Sequence, residues 1–365
     1  MKLALIHDHL MQDGGAEKVL RELQEIWPSA PTYTLLFNQE AVSDFFKKKD
    51  IRTSFLQKAP FAMSKYQWYL PLMPLATEGY NLSNYDIVIS SSSAFSKGAI
   101  TNEHTVHICY CHTPTRYLWS DTHEYLKELA ISRAIKPFIR PVLSYLRMWD
   151  KSAADRVDLF VANSKAVQKR IQKYYRRESI VINPPVETSR FSISDKPKNY
   201  FLAGGRIVGY KRLDIVIEAF NHLGIPLKIF GDGPLRELYS DKSSSNIEFL
   251  GKVSDKEQAD LYANCIAYIN PQEEDFGITP VEAMASGRPV IAYARGGALE
   301  TIIEGKTGVF LHEQSWEELA DAVMRFDESV FDPATIQSHA KQFDTEAFRS
   351  NMQRIVSEYA TKNKI

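Results

Sequence analysis

The sequence predicts an α/β protein with two open parallel sheets in series. Short apolar runs alternate with helical patterns along both halves of the chain, as they do where parallel strands are joined by crossover helices. A length of 365 residues is too great for one ordinary hydrophobic core. A polar stretch near the middle separates the halves. These observations favour two domains of the same architecture.

The predicted strands are short runs of apolar residues. In the first half they span residues 3–7, 86–90, 106–111, 159–163 and 180–183. In the second half they span residues 200–203, 227–230, 247–250, 267–270 and 290–293. Open parallel sheets bind ligands at the carboxyl ends of their strands, where loops and helix N-termini present backbone N–H groups. Functional residues are therefore expected directly after strands.

Prolines and helical spacing set the domain boundaries. Asn183-Pro184-Pro185 ends the last strand of the first half, and a polar stretch continues to Asn199. A last helical stretch begins after Asp344 and carries apolar residues at helical spacing, so it needs a surface to pack against. We place a first domain at 1–185, a second domain at 186–343 and a C-terminal helix at 344–365.

Charge, hydropathy and cysteine usage exclude several classes of protein. The formal net charge of −1 creates no overall field for a polyanion such as DNA, so no nucleic-acid partner is expected. The chain has no apolar run of about 18 residues and no secretion-signal pattern at its N-terminus. Cys109, Cys111 and Cys265 lack zinc-like spacing. We expect a cytoplasmic protein with reduced, buried thiols and no membrane span.

A glycine-rich, basic segment follows the first strand of the second half and opens a helix. Gly204 and Gly205 would let a phosphate approach the backbone, and Arg206 and Lys211 could neutralise it. Charge-assisted hydrogen bonds of this kind contribute about 1.5–3 kcal/mol each. A glycine turn before a solvated basic helix start would show the same pattern. A second turn, Gly296-Gly297, allows the same two interpretations: backbone contact with a ligand or an ordinary helix start.

Two glutamates separated by seven residues, Glu274 and Glu282, lie in a segment that runs from a loop into a helix. Thr279 as N-cap, Pro280 at the first helical position and Glu282 at the third predict a capping box, which would make Glu282 purely structural. Glu274 has no comparable structural role. Alternatively, a carboxylate at a helix start can accept the vicinal hydroxyls of a ribose, and a second one nearby can reach the next sugar.

Polar residues of the first half also follow predicted strands. His7 ends the first strand, and Gly14-Gly15 begins the helix after it. His112, Arg116 and Trp119 lie in one short loop after the strand at 106–111. Each histidine could equally be a satisfied core or loop residue, and a two-glycine helix start is common. Placement after strands nevertheless favours a ligand-binding edge.

These motifs resemble the family 4 retaining glycosyltransferases of GT-B fold. The resemblance rests on the paired glutamates with Phe276-Gly277 between them, on Arg206 followed five residues later by Lys211, and on His112 two residues before a proline. Over nearly the whole chain the sequence is most similar to mannosyltransferases of bacterial surface-polysaccharide assembly. The resemblance implies two Rossmann-like domains facing each other across a cleft, with the C-terminal helix packed back on the N-terminal domain.

The same resemblance assigns roles to individual residues. Glu282 would hold the donor ribose, Glu274 and His112 would contact the transferred hexose, and the 1–185 domain would bind the acceptor. The donor would bind mainly to the 186–343 domain. Residues expected in catalysis are His112, Arg206, Lys211 and Glu274; residues expected to bind the donor are Gly14, Gly15, Arg206, Lys211, Glu274, Phe276, Gly277, Ile278 and Glu282; Arg116 and Trp119 are acceptor candidates.

The implied reaction is retaining, metal-independent transfer of a hexose, with GDP-mannose as the favoured donor and a glycan or lipid-linked saccharide as acceptor. No cofactor is expected, since fixed cations can replace a metal at the diphosphate. The acidic run 273–275 offers a cation site as the alternative. A nucleotide-sugar epimerase or hydrolase, or a non-catalytic nucleotide-sugar-binding partner, would carry similar motifs. The sequence leaves the donor base, the acceptor and the linkage open.

Two stretches could contact an anionic membrane that carries a lipid-linked acceptor. Residues 61–73 are aromatic and apolar with little charge. A second, helix-like stretch combines basic with apolar residues, as interfacial helices do. Its basic residues are Arg133, Lys136, Arg140 and Arg147, and its apolar residues are Ile135, Phe138, Ile139 and Leu143. Peripheral contact with the inner face of the plasma membrane is the functional interpretation, and a packed helix with solvated charges is the alternative.

Overall fold

The computed structural model describes residues 1–123, 126, 136–195 and 197–362, except for the side chains of 136–138. The chain divides into two compact units. The first unit comprises Met1–Pro185 and Phe348–Ile365, and the second comprises Val186–Ala347. Arg133 and Ile135 of the second candidate membrane stretch lie outside the described residues, as do the side chains of Lys136 and Phe138.

Within the described residues of the first unit, seven strands form one parallel sheet. They are β1 (Leu3–His7), β2 (Thr32–Thr34), β3 (Ile51–Thr53), β4 (Ile87–Ser92), β5 (Val106–Cys111), β6 (Leu159–Ala162) and β7 (Ser179–Val181), in the order β3-β2-β1-β4-β5-β6-β7. The chain runs outward from β1 through β2 and β3 and then returns to the other side of β1. The order therefore reverses between β1 and β4, the position where doubly wound sheets bind ligands.

The described part of the second unit holds six parallel strands. They are β8 (Phe201–Gly204), β9 (Leu227–Phe230), β10 (Ile247–Gly251), β11 (Tyr268–Asn270), β12 (Val290–Tyr293) and β13 (Gly308–Leu311), in the order β10-β9-β8-β11-β12-β13. The order reverses between β8 and β11. Both sheets thus repeat one doubly wound topology, and all ten predicted strands overlap an observed one.

Helices cover both faces of the sheets. They are α1 (Gly15–Ile26), α2 (Asp44–Lys47), α3 (Ala62–Lys65), α4 (Met73–Glu78), α5 (Lys136–Asp155), α6 (Lys165–Tyr175), α7 (Leu213–Leu223), α8 (Arg236–Ser240), α9 (Asp255–Asn264), α10 (Ile278–Ala285), α11 (Ala298–Thr301), α12 (Trp316–Met324), α13 (Pro333–Ala340) and α14 (Thr345–Lys362). Short 3₁₀ helices span Phe55–Lys58, Tyr66–Leu72, Ser96–Gly98, Arg116–Leu118, Thr188–Arg190, Gly209–Lys211, Glu328–Val330 and Lys341–Phe343.

The C-terminal helix α14 packs on the sheet of the first unit, as predicted. Its buried apolar residues Phe348, Met352, Ile355, Val356 and Ala360 belong to the same core cluster as residues of β1, β4 and β5. Burial of each large apolar side chain contributes roughly 1.5–3 kcal/mol. An ion pair between Arg349 of α14 and Glu22 of α1, 2.7 Å apart, fixes the helix at its edge. The apolar spacing of this helix therefore predicted its buried face correctly.

Two further expectations concern the membrane and the thiols. Every helix in the described parts of the chain is either too short or too polar to cross a bilayer. Cys109, Cys111 and Cys265 are buried free thiols, as predicted.

Candidate functional site

Two of the predicted donor residues of the second unit meet where its strand order reverses. The segment after β8 carries Lys211, and the loop after β11 carries Glu274. The Lys211 ammonium and the Glu274 carboxylate form a direct ion pair, with both side chains mostly buried at 16% and 18% exposure. Gln272 Nε2 donates a 3.0 Å hydrogen bond to the same carboxylate oxygen. A cation and an acid from loops 63 residues apart therefore share one place at the carboxyl edge of the sheet.

Glycine is required at Gly204 and Gly205 for two different reasons. A Cβ at Gly204 would lie 2.4 Å from the Phe230 ring, so the strand end needs close packing. Gly205 has a positive φ of 118°, a conformation that side chains rarely adopt, and no atom lies within 4 Å of its Cβ position. The backbone beside Gly205 is therefore open to a ligand. Arg206, the next residue, is exposed.

The second glycine turn supports the loop that carries Glu274. Gly297 N–H donates a 2.8 Å hydrogen bond to the Glu274 carbonyl oxygen, so this amide is already used within the protein. A Cβ at Gly297 would lie 2.2 Å from the Phe276 carbonyl oxygen. Phe276 is buried and packs edge-on against Phe343, with ring centroids 5.5 Å apart. At Gly297 the structural interpretation accounts for the glycine.

The predicted capping box at Thr279, Pro280 and Glu282 is wrong. Helix α10 begins at Ile278, with Gly277 as its N-cap in the left-handed region at φ 89°. A glycine adopts that conformation without strain, so the helix starts two residues earlier than predicted. Pro280 then falls in the first turn, where backbone N–H groups have no partner within the helix. Glu282 lies beyond that turn and has no capping role.

Glu282 is instead a buried carboxylate held by helix α9. Its side chain is 2% exposed. Gln258 Nε2 lies 3.3 Å and the Tyr262 hydroxyl 3.4 Å from Glu282 Oε2. Tyr262 is itself fully buried, and burial raises its phenol pKa well above the usual value, with the nearby Glu282 charge acting in the same direction. A buried acid supported by neutral donors is suited to accept hydroxyl hydrogen bonds from a ligand.

In the first unit, Asp8 organises the backbone where the strand order reverses. Its carboxylate accepts four backbone hydrogen bonds of 2.6–2.8 Å, from the N–H groups of Ser93, Ala94, Phe95 and Ser96. Burial disfavours the charge, but attraction to His7 and the hydrogen bonds from Ser96 and Ser93 outweigh it and lower the pKa of Asp8. The sequence signal for this role is weak, because the four donors lie 85 to 88 residues further along the chain.

The predicted residues His112 and Gly14 are connected through His7, which the sequence analysis named, and through Glu17 and Ser91, to which it gave no role. Glu17 Oε2 accepts the Gly14 N–H at 2.8 Å, and Glu17 Oε1 lies 3.5 Å from His7 Nε2. His7 Nδ1 lies 3.1 Å from Ser91 Oγ, and Ser91 Oγ lies 2.8 Å from His112 Nε2. His7 and Ser91 are direct register partners in β1 and β4. Gly15, next to Gly14, is the first residue of α1.

The acceptor candidates make contacts within the first unit. Arg116 Nε donates to Asp121 at 2.8 Å, and its side chain is 32% exposed. Trp119 Nε1 donates to Asp150 Oδ2 at 2.7 Å, and its ring stacks on Tyr174 at 5.1 Å. The polar edge of Trp119 is therefore used to hold its loop, and the Arg116 guanidinium pairs with Asp121. Their role toward an acceptor stays a prediction.

A buried ion pair beneath this loop was not predicted. Lys97 and Asp150 are each 1% exposed, and Lys97 Nζ lies 2.5 Å from Asp150 Oδ1. Asp150 also accepts hydrogen bonds from Thr115 Oγ1 at 2.8 Å and from Trp119. One carboxylate thus joins the 3₁₀ turn after β4, helix α5 and the loop that carries Trp119. Since the partners are far apart in sequence, spacing alone gave no signal.

Buried histidines make the stability of the first unit depend on pH. Burial lowers the pKa of His107 and His112 to about 4, and the charge of Arg156 acts in the same direction on His107. Both pKa values are about 6.5 in an unfolded chain. Between these values unfolding takes up protons, so the free energy of unfolding is expected to fall on acidification from about pH 6.5 to pH 4, by up to roughly 1.4 kcal/mol per pH unit for each histidine.

Urea unfolding followed by tryptophan fluorescence would measure this slope, because Trp27, Trp68, Trp119 and Trp149 all belong to the first unit. Replacing His107 with glutamine should remove one histidine's share of the slope. Replacing the exposed His104 with glutamine should leave it unchanged. A free energy that rises on acidification across this range would contradict the assignment.

Metal-binding geometry is a separate question. In the part of the chain that the structure describes, no group of three or more His, Cys, Asp or Glu residues is arranged to hold a metal ion.

Two family models match the chain. Residues 186–342 match Glycosyl transferases group 1, and residues 14–190 match Glycosyltransferase Family 4. The two matches meet near the boundary between the compact units and together span most of the chain.

Curated relatives are similar at modest identity. An alpha-1,3/1,6-mannosyltransferase of Dictyostelium discoideum is 26% identical over 303 residues, which cover 68% of this chain and 69% of the relative. An O-antigen chain mannosyltransferase of Salmonella typhimurium is 30% identical over 220 residues, which cover 54% of this chain and 62% of the relative. Across the first relatives the alignments span about half to two thirds of each relative's own length.

Solved structures extend the likeness to the whole chain. HepE of Anabaena, crystallised in complex with UDP, aligns with a TM-score of 0.72 and 18% identity over 98% of this chain and all of that one. Identity at this level carries information on the fold alone, and it confirms the predicted GT-B class for an α/β chain with two parallel sheets. The chain therefore belongs to the glycosyltransferases, with a Family 4 first half and a second half of Glycosyl transferases group 1.

Proposed function

We propose that this protein is a retaining, metal-independent hexosyltransferase that moves mannose from GDP-mannose to a glycan or lipid-linked saccharide. The observation that carries the proposal is the pairing of Glu274 with Lys211, a residue of the segment that follows the open backbone position at Gly205. Mannose is supported by the names of the two relatives, both mannosyltransferases. The UDP in the HepE structure supports a nucleotide-linked donor in general.

Leaving-group stabilisation is the chemical role of Arg206 and Lys211 in this proposal. When the bond between the anomeric carbon and the diphosphate oxygen breaks, negative charge grows on the diphosphate. Lys211, which Glu274 holds in a mostly buried position, and the exposed Arg206 would stabilise that charge more than they stabilise the bound donor, which lowers the barrier. Glu274, which contacts Lys211, is assigned to the hydroxyls of the transferred hexose, and the buried Glu282 to the vicinal hydroxyls of the donor ribose.

Retention of configuration follows if the acceptor attacks from the face that the diphosphate leaves. A bond forms between the acceptor oxygen and the anomeric carbon, and the acceptor proton passes to the departing diphosphate. No protein base is needed for this step. His112 is assigned to a sugar hydroxyl, and its low pKa keeps the ring neutral at neutral pH. The product should therefore carry the same anomeric configuration as the donor.

Thermal stability against a panel of nucleotide sugars tests the donor, because a ligand that binds only the folded state raises the apparent stability. GDP-mannose is expected to give the largest rise in thermal stability, and a larger rise with a UDP-sugar would overturn the choice of guanine as the donor base.

A glycosyltransferase is expected to release free nucleotide diphosphate only when a glycan acceptor is present. Release of the nucleotide diphosphate without an acceptor would indicate a hydrolase, and donor binding without release would indicate a non-catalytic partner.

If no metal takes part in the reaction, the transferase activity should persist when a chelator is added.

Membrane contact is proposed for the surface formed by residues 55–75, which we call the aromatic surface. Among its large apolar side chains, Phe61, Trp68 and Leu75 are 60–68% exposed. Lys65 lies over the Trp68 ring, with its Nζ 4.4 Å from the ring centroid. From residue 51 to residue 77 the charged residues are Arg52, Lys58 and Lys65, with no acid. Exposed aromatic rings among cations suit the interface of an anionic bilayer.

Replacing Phe61 and Trp68 together with serine is expected to weaken partitioning onto phosphatidylglycerol-containing vesicles by at least about tenfold, because two rings lose contact with the acyl region. Co-sedimentation with these vesicles and with pure phosphatidylcholine vesicles would measure it. Serine at Met324 and Val330, equally exposed at 67% and 64% in the second unit, is the matched control. Unchanged sedimentation of the first variant, or equal loss in the control, would remove the aromatic surface from the proposal.

A further inference from the structure

We propose that Glu17 is a positioning residue that acts through His7 and Ser91 to fix which ring nitrogen of His112 carries the proton. This inference rests on the proposed function only for the role of His112 toward a sugar hydroxyl. The connection itself is a property of the first unit, and it links side chains of α1, β1 and β4 to the loop after β5.

The connection is continuous and almost dry. Glu17, His7 and Ser91 are 2%, 3% and 0% exposed. Glu17 Oε1 lies 3.5 Å from His7 Nε2. His7 Nδ1 lies 3.1 Å from Ser91 Oγ, and Ser91 Oγ lies 2.8 Å from His112 Nε2. His7 and Ser91 therefore each contact one neighbour on either side, and water has little access to these contacts.

His112 is held so that one ring nitrogen is committed. Its backbone N–H donates to the Ser92 carbonyl at 2.8 Å, and its carbonyl accepts from Asn163 Nδ2 at 2.9 Å. The ring meets Tyr110 edge-on at 5.3 Å. Nε2 is taken by Ser91, and none of the described residues hydrogen-bonds to Nδ1. Nδ1 is thus the ring atom that is available to a ligand.

The carboxylate gives the chain of contacts a direction. An ionised carboxylate only accepts hydrogen bonds, so His7 Nε2 must carry a proton toward Glu17. In a neutral His7 ring the other nitrogen, Nδ1, then accepts, and the Ser91 hydroxyl must donate its single proton to it. Ser91 Oγ can therefore only accept from His112, which places the proton on His112 Nε2. His112 Nδ1 is left as an acceptor for a hydroxyl group of the ligand.

Two pKa shifts agree with this direction. Burial opposes the Glu17 charge, but the His7 contact and the Gly14 hydrogen bond outweigh burial and lower the pKa of Glu17, so it is ionised. Burial lowers the pKa of His112 to about 4, so its ring carries one proton at neutral pH. A doubly protonated His7 would still donate from Nε2 to Glu17, but its Nδ1 would also donate to Ser91 Oγ. Ser91 would then donate to His112 Nε2, and His112 would carry its proton on Nδ1 instead.

A merely structural role for Glu17 makes a different prediction. Glu17 Oε2 accepts the Gly14 N–H and stabilises the start of α1, and this alone would justify the residue. A structural role would change the stability of the protein but not the protonated nitrogen of His112. The two interpretations can therefore be distinguished by which nitrogen of the His112 ring carries the proton.

Long-range nitrogen–proton NMR correlations of the His112 ring read that tautomer directly, without substrate. The wild-type ring is expected to show the proton on Nε2 and a bare Nδ1. Glu17→Gln and Ser91→Ala should each shift the ring to a mixture of tautomers. If Glu17→Gln fails to fold, Ser91→Ala still decides, because it removes one buried hydroxyl and keeps the Gly14 hydrogen bond. A wild-type Nδ1–H, or an unchanged tautomer in Ser91→Ala, would overturn the proposal.

Two control variants match these changes closely. Ser90 precedes Ser91 on the same strand and makes an equivalent 2.8 Å contact to a different histidine, His107. Ser90→Ala should leave the His112 tautomer unchanged. Glu22 lies on α1, like Glu17, but pairs with Arg349. Glu22→Gln therefore removes a charge from the same helix and should also leave the His112 tautomer unchanged. A shift in either control as large as in Ser91→Ala would indicate a general loosening of the unit.

Kinetics then connect the tautomer to sugar transfer. Ser91→Ala is expected to lower kcat by about tenfold, the effect of one misdirected hydrogen bond, with little change in the donor KM. Ser90→Ala should keep both constants. If the wild type transfers no sugar from any donor, the proposed function fails while the tautomer result stands. If transfer is normal in Ser91→Ala although the tautomer shifts, the role of His112 Nδ1 toward the sugar is refuted.

Discussion

Replacing Lys211 with alanine is expected to slow sugar transfer by more than about tenfold and to weaken donor binding. Glu274 holds the ammonium at the carboxyl edge of the second sheet, and the proposed function assigns it to the diphosphate of the donor. Its loss removes a charge-assisted hydrogen bond of about 1.5–3 kcal/mol and leaves Glu274 without that counter-charge. Both effects disfavour a diphosphate whose charge grows in the transition state. Initial rates at several donor concentrations would separate kcat from KM.

Lys228 provides the matched control for Lys211. It belongs to the same sheet and pairs with Glu248 at 2.9 Å, but it lies within β9 rather than in a loop after a strand. Lys228→Ala removes the same charge and should leave kcat and KM close to wild type. Near-normal kinetics in Lys211→Ala, or an equal loss in Lys228→Ala, would count against a phosphate role and so against the proposed leaving-group stabilisation.

Most of the strands that the sequence predicted contain apolar runs that are buried along the strand, whereas β7 and β10 are only partly buried. Among the described strands the sequence missed β13, which is also partly buried, and the three-residue strands β2 and β3. The residues of β2, Thr32–Thr34, contain no apolar run, yet Thr32 and Thr34 are fully buried and Gln24 Nε2 donates to Thr32 Oγ1 at 2.7 Å. The edge strand β3 spans only Ile51–Thr53. Local composition could not reveal strands that are stabilised by neighbours far away in sequence.

In the candidate site too, the positions of residues after strands could be predicted from the sequence, whereas contacts between residues far apart in the sequence could not. Loops after strands were correctly expected to carry Lys211 and Glu274, but their direct pairing joins residues 63 apart and needed the structure. The capping box failed because the left-handed Gly277 starts α10 early, a backbone feature that competes with side-chain capping. Asp150 and Ser91 act through contacts of high sequence separation, so only the fold brings them to the loop after β5.

Replacing Lys97 with methionine is expected to lower the free energy of unfolding by about 3–5 kcal/mol, the cost of leaving one member of a buried ion pair uncompensated. Burial disfavours the Lys97 charge, but attraction to Asp150 outweighs it and raises the pKa of Lys97, so the lysine is charged at neutral pH. Without the ammonium, the Asp150 carboxylate would keep Thr115 and Trp119 as donors but remain a buried charge. Urea unfolding at neutral pH would measure the change.

The charge explanation can be separated from lost packing by neutralising the partner. In the double variant Lys97→Met with Asp150→Asn, the amide oxygen can accept from Trp119 and the amide NH2 group can donate to the Thr115 hydroxyl. No charge then stays buried, so part of the lost stability should return. Lys151 and Asp155 form an exposed pair at 2.5 Å on the same helix, and Lys151→Met should change stability by less than about 0.5 kcal/mol. If the double variant were no more stable than Lys97→Met alone, the loss would arise from packing around the lysine stem, and Asp150 would organise its loop as a hydrogen-bond acceptor independently of its charge.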